Sequence, residues 1–186
     1  MMYFISLDLE NIIYKFINRI QSDLNKTNCT ISRSLPKQEH VTLKYLGELD
    51  EYDVITIRER LRELVKKYTQ FKLHTTKINT FPIKTHACIV WLGVNQTKEL
   101  MNLQNNICEL TKNIILKKTE VHEYIPHITI ARVNYNYCER ELQMFFESMN
   151  NIKEITFAVT EIKLKKSTMT PLGPKYEDIE TFELNK

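Results

Sequence analysis

The hydrophobic period switches repeatedly between about two and about 3.6 residues along this chain, which restricts it to folds mixing strands and helices. A period near two buries one face of a strand, and a period near 3.6 buries one stripe of a helix. Residues 2–8 read as a strand and 10–24 as a helix with Ile12, Ile13, Phe16, Ile17, Ile20 and Leu24 on its apolar side. Residues 40–46 read as a strand, and 53–68 as a helix with Val54, Ile57, Leu61, Leu64 and Val65 inward. Strands at 70–79 and 87–93 precede a third helix at 97–116, through Leu100, Leu103, Ile107, Leu110 and Ile114. A strand at 127–133, a helix at 137–149 and strands at 153–165 and 175–184 complete the order. The second half loosely repeats the first, and no glycine- or proline-rich linker divides them. One compact unit of two similar lobes, facing each other across a cleft, is the expectation.

Glycine is scarce. Only Gly47, Gly93 and Gly173 are present in 186 residues, where average usage would give roughly thirteen. Dinucleotide loops, Walker-type phosphate loops and G-x-S-x-G nucleophile elbows all need clustered glycines, so those chemistries are excluded. The four cysteines, Cys29, Cys88, Cys108 and Cys138, include no C-x-x-C pair. A zinc or dithiol redox centre therefore has no support, and free thiols in a reducing cytoplasm are the economical reading. The N-terminus has no basic region before its short apolar run, so no signal peptide is expected. No run of 18 apolar residues suggests a membrane span. A net charge of +3 permits a polyanionic partner with few phosphate contacts. The basic clusters Lys117-Lys118 and Lys163, Lys165, Lys166 read as solvated faces.

Three of the five histidines have threonine two residues later: His40/Thr42, His74/Thr76 and His127/Thr129. The first and third lie in alternating runs, His40-Val41-Thr42-Leu43 and His127-Ile128-Thr129-Ile130. Side chains two apart on a strand project together, so each run presents an imidazole and a hydroxyl on one face and apolar residues on the other. His74-Thr75-Thr76-Lys77 lacks that apolar face. His74, His86 and His122 are therefore read as structural or surface residues.

Two imidazole–hydroxyl pairs, with no metal-ligand set and no nucleophilic serine or cysteine signature, fit in-line displacement at phosphorus. A neutral imidazole takes the proton of attacking water, and an imidazolium protonates the departing oxygen on the opposite side. Histidine suits both roles because its unperturbed pKa lies near 6.5. Threonine hydroxyls can donate to the non-bridging oxygens, where transition-state charge gathers.

Segments 38–47 (Gln38-Glu39-His40-Val41-Thr42-Leu43-Lys44-Tyr45-Leu46-Gly47) and 124–132 (Tyr124-Ile125-Pro126-His127-Ile128-Thr129-Ile130-Ala131-Arg132) resemble the paired HxTx motifs of the 2H phosphoesterases. Within that superfamily the chain resembles the RNA 2',3'-cyclic phosphodiesterases, also named 2'-5' RNA ligases. Phe4 to Leu9, Phe81-Pro82, Val90 to Val94 and Lys166 to Tyr176 resemble it as well, so the likeness spans nearly the whole chain. It implies an α+β fold over residues 1–186, in which two interleaved pseudo-symmetric lobes, each an antiparallel sheet with helices outside, flank a central groove. It also implies hydrolysis of 2',3'-cyclic phosphate ends to 2'-phosphates without a cofactor, and the reverse 2'-5' ligation. The expected partners are RNA ends or short oligonucleotides, with no membrane and no obligate protein partner. By motif position His40 becomes the proton donor and His127 the acceptor, with Thr42 and Thr129 holding the phosphate; the residues alone leave that assignment open. A binding module that has kept the groove and lost turnover is the competing reading.

Strict alternation would turn Arg132 away from His127 and Thr129. Either a bulge or the strand end re-aims it toward phosphate, or it pairs with a surface carboxylate. Lys44 shares the expected His40/Thr42 face, with phosphate contact and a rim position both open. Tyr45, Tyr124 and Tyr135 are candidates for stacking on bases, against packing at the core or rim. Ser167 and Thr168 are placed on the cleft wall.

Overall fold

The computed structural model of the chain describes residues 1–33, 37–84, 86–115, 123–171 and 173–186. The elements run β1 (Met2–Leu7), α1 (Asn11–Leu24), β2 (Thr30–Arg33), β3 (Val41–Gly47), α2 (Glu51–Val65), β4 (Phe71–Lys84) and β5 (Ala87–Val94). They continue as α3 (Lys98–Thr111), β6 (His127–Asn134), α4 (Glu139–Ser148), β7 (Thr156–Val159), β8 (Glu161–Thr170) and β9 (Gly173–Glu183). The expected order is present, with one addition and one division. The addition is strand β2, only four residues long. The strand expected at 153–165 is broken at Thr160, where the chain leaves β4 and joins β1.

Local chemistry sets the helix starts. Asp50 caps α2 by accepting from the amide of Asp53, and Thr97 caps α3 by accepting from Leu100. Their apolar stripes, Ile57, Leu61, Leu64 and Val65 on one and Leu100, Leu103 and Ile107 on the other, are buried. Strand β4 runs past its expected end through Pro82 to Lys84. Its outer edge is paired with β7 only at Phe71–His74, so Pro82 lies beyond that pairing.

The strands follow the order β7-β4-β5-β6-β3-β1-β8-β9, and each of these pairings is antiparallel. The seam between β3 and β6 has one register pair, Val41 with Ile128. The path thus consists of two four-stranded halves joined at a narrow seam, with a helix-bearing layer against them. The halves interleave: β2, from the first half of the chain, adds to β6. Helix α1 packs against β6 and α4, whereas α3 packs against β3 and α2. Each motif strand therefore rests on a helix from the other half of the sequence.

The core includes Ile5, Leu7, Ile13, Ile17, Ile20, Val41, Leu43, Ile128, Ile130, Ile162 and Leu164, each 0–2% exposed. Full burial stabilises by roughly 1.5–3 kcal/mol for each such side chain, before chain entropy is offset. Gly93 permits close strand contact, because a Cβ there would lie 2.2 Å from the Thr76 hydroxyl oxygen.

The cysteine reading is corrected. Cys29 and Cys138 form a disulfide that joins the entrance of β2 to the start of α4, while Cys88 and Cys108 are free thiols. The pair is separated by 109 residues, and only the fold brings it together. The solvated-face reading of Lys163 and Lys165 is also corrected. Lys165 is buried, and both ammonium groups lie within 3.0 Å of Asp8 and Asp178 carboxylate oxygens. Lys117, Lys118 and His122 lie outside the described residues. Among the described residues, no helix is long and apolar enough to cross a membrane.

Candidate active site

Both HxTx pairs open on one cavity of about 490 Å³, lined by His40, Thr42, His127 and Thr129. The alternation puts Val41, Leu43, Ile128 and Ile130 into the core and leaves the histidines and threonines facing the cavity. The histidines are held alike. Nδ1 of His40 lies 2.7 Å from the carbonyl oxygen of Gln38, and Nδ1 of His127 lies 2.7 Å from that of Ile125. A carbonyl only accepts, so Nδ1 carries the proton in each neutral ring and Nε2 is left as the basic nitrogen.

Aromatic rings enclose both imidazoles. Phe4 stacks on His40 at 4.8 Å, and Tyr176 meets it edge-on at 5.2 Å. Phe81 meets His127 edge-on at 5.1 Å, and Trp91 lies 5.6 Å from it. Sequence reasoning gives these enclosing positions no role. Their visible signal is weak, since an aromatic residue in a half-buried strand is ordinary core composition. Burial disfavours imidazolium and lowers the pKa of His40 to about 4, partly opposed by its bond to Gln38. The charge of Lys165 lowers it further, and Asp8 acts in the opposite sense. His127 is also lowered by burial, with its bond to Ile125 opposing.

Arg132 lines the cavity beside Thr129. Val90 pairs with Ala131 and Trp91 with Thr129, so the β5–β6 register skips Ile130. That bulge puts Ile130 and Ala131 successively into the core and returns Arg132 to the side of His127. The first motif repeats the device. Ile5 pairs with Lys44 and Ser6 with Thr42, so the β1–β3 register skips Leu43. Tyr45 then lines the cavity, and Lys44, expected on that face, is not among its lining residues. The bulged residue is three after the histidine in both strands, and the residue delivered to the cavity is five after it.

Ser167 lines the cavity, whereas Thr168 does not. Tyr124 donates its hydroxyl to the Thr42 carbonyl at 3.0 Å, a packing role at the motif strand, and Tyr135 lies against His86. His74 faces Glu154 at 3.9 Å on strand β4. Sequence reasoning missed Ser32 and Arg33, which reach the cavity from β2, and Glu39, a buried lining carboxyl. Burial pushes the Glu39 pKa up, and a bond from Gln21 is among the opposing effects. Arg33 and Arg132 give the cavity wall its guanidinium charge, suited to phosphate oxygens.

Two antiparallel halves of one sheet that each contribute a histidine and a threonine to one shared cavity define a two-histidine phosphoesterase. The sequence model of the 2'-5' RNA ligase superfamily matches residues 13–168, and the chain belongs to that family. It is 28% identical over 182 residues to an RNA 2',3'-cyclic phosphodiesterase of Methanothermobacter thermautotrophicus, covering 97% of each chain. Against the Methanocaldococcus jannaschii RNA 2',3'-cyclic phosphodiesterase it is 30% identical over 185 residues, 98% of this chain and 100% of the relative. Its fold is similar to that of TT0787 of Thermus thermophilus, with a TM-score of 0.81 at 18% identity, covering 99% and 98% of the two chains. Escherichia coli LigT complexed with 3'-AMP has a TM-score of 0.74 at 18% identity, covering 100% and 98%.

Proposed function

We propose that the chain is a metal-independent RNA 2',3'-cyclic phosphodiesterase that opens terminal cyclic phosphates to 2'-phosphates. The carrying observation is the matched tethering of His40 and His127, whose Nδ1 atoms bond to carbonyls in the same way at one cavity. Nε2 of His127 accepts a proton from water as the water oxygen bonds to phosphorus. Nε2 of protonated His40 gives its proton to the 3'-oxygen as the phosphorus–O3' bond breaks. The 2'-ester bond remains, and proton exchange with solvent restores both rings. Thr42 and Thr129 donate to the non-bridging oxygens, and Arg132 neutralises their growing charge. The names of the curated relatives and the charged cavity support short RNA ends as substrates. Run in reverse, with a 5'-hydroxyl end in place of water, the same groups form a 2'-5' bond.

A 2',3'-cyclic-phosphate oligonucleotide incubated with the protein should yield a 2'-phosphate end, read by mass spectrometry after end-specific digestion. His40→Ala and His127→Ala should each slow turnover on the order of 10²-fold or more. Wild-type turnover in either variant would refute the acid–base pair. Binding without any hydrolysis by the native chain would favour the binding-module reading.

A further inference from the structure

Two buried glutamines meet the bulges at Ile130 and Leu43. Gln21, on α1 and 4% exposed, donates from Nε2 to the carbonyl oxygen of Ile130 at 2.9 Å. Gln104, on α3 and 8% exposed, donates from Nε2 to the carbonyl oxygen of Leu43 at 3.4 Å. The β5–β6 register skips Ile130, and the β1–β3 register skips Leu43 and, nearer its end, Leu46. A skipped residue leaves its backbone groups without the regular ladder partner, and a buried unpartnered carbonyl is costly. The amides occupy those positions, each from the helix that the other half of the chain places beneath the motif strand. A primary amide has two donor hydrogens, and Gln21 uses the second on Glu39 Oε1 at 3.3 Å, next to His40.

We infer that Gln21 and Gln104 are positioning residues that hold the two bulges and so keep Arg132 and Tyr45 turned into the phosphate cavity. Without the amide, the lowest-cost way to satisfy the Ile130 carbonyl is a changed register or water entry, and either releases the frame that aims Arg132. The kinetic part of the inference rests on the proposed phosphodiesterase activity.

A double-mutant cycle on a 2',3'-cyclic-phosphate dinucleotide tests it. Gln21→Leu should lower kcat/KM by about fivefold or more, with the same division between kcat and KM as Arg132→Ala. Added to Arg132→Ala, it should change kcat/KM by less than about twofold, because the residue it positions is gone. Equal loss in both backgrounds would indicate general destabilisation and overturn the inference, as would no loss in either. If Gln21→Leu does not fold, Gln104→Leu combined with Tyr45→Ala makes the same test from the other lobe. A native chain without cyclic phosphodiesterase activity would refute the proposed function, and a crystal structure of Gln21→Leu would then decide this inference separately. Arg132 turned out of the cavity would support it, and an unchanged bulge with Arg132 in place would overturn it.

Discussion

Lowering the pH from 7 to 5 should cost the native chain about 2 kcal/mol of folding stability through His40 alone. In the fold, burial against Phe4 and Tyr176 brings this imidazole down to about 4, whereas an unfolded chain leaves it near 6.5. Between those values the unfolded state holds a proton that the folded state has released. Stability therefore falls as pH drops through 6.5 and levels off below about 4. At pH 7 both states are mostly neutral; at pH 5 the unfolded ring is almost fully charged and the folded ring is not, which produces the difference of about 2 kcal/mol. Urea unfolding followed by circular dichroism, on native protein and His40→Asn at pH 7 and pH 5, isolates this contribution. Asparagine keeps an amide donor for the Gln38 carbonyl and does not titrate in this range, so His127 and the carboxylates contribute equally to both proteins. The native midpoint should fall by on the order of 1 M urea more than that of the variant. Equal losses would refute the reasoning and mean that the His40 ring is well hydrated.

Because both histidines are held below their usual pKa, the singly protonated pair required for acid–base catalysis is most populated on the acid side of pH 6.5. The pH profile of kcat/KM for the free enzyme should be bell-shaped, with its maximum below that value and both limbs belonging to the pair; a maximum above pH 7 would contradict the burial of the two rings. Replacing Cys29 and Cys138 with serine should lower the melting temperature on the order of 10 °C, since the bridge closes a long chain segment. Scanning calorimetry of the double variant against Cys108→Ser measures this, and equal melting temperatures would show that the bridge does not constrain the native chain.

How far the site was legible depends on whether a feature is local or set by a partner strand. The period in α1, α2 and β3 is local, because half-burial writes it into each segment. Even the break at Thr160 left a trace: Phe157 and Val159 are buried at odd positions, Ile162 and Leu164 at even ones, and the phase changes between them. Strand β2 left none, since Thr-Ile-Ser-Arg is short and polar and is held by β6 and the disulfide. The bulges are intermediate cases. Adjacent core residues Ile130 and Ala131 interrupt the alternation visibly, but only pairing with Val90 and Trp91 shows which residue is skipped. The same limit explains why two matching histidine motifs cannot name their own acid and base. His-x-Thr repeats the reactive groups and the bulges repeat the frame, so chemical direction must come from what the rest of the chain brings beside each ring. Beside His40 the fold places the Lys165 charge, which disfavours imidazolium, and Asp8, which favours it; at His127 burial is opposed by the bond to Ile125. The pseudo-symmetry is thus one of backbone and motif, and the two rings differ in the charges beside them.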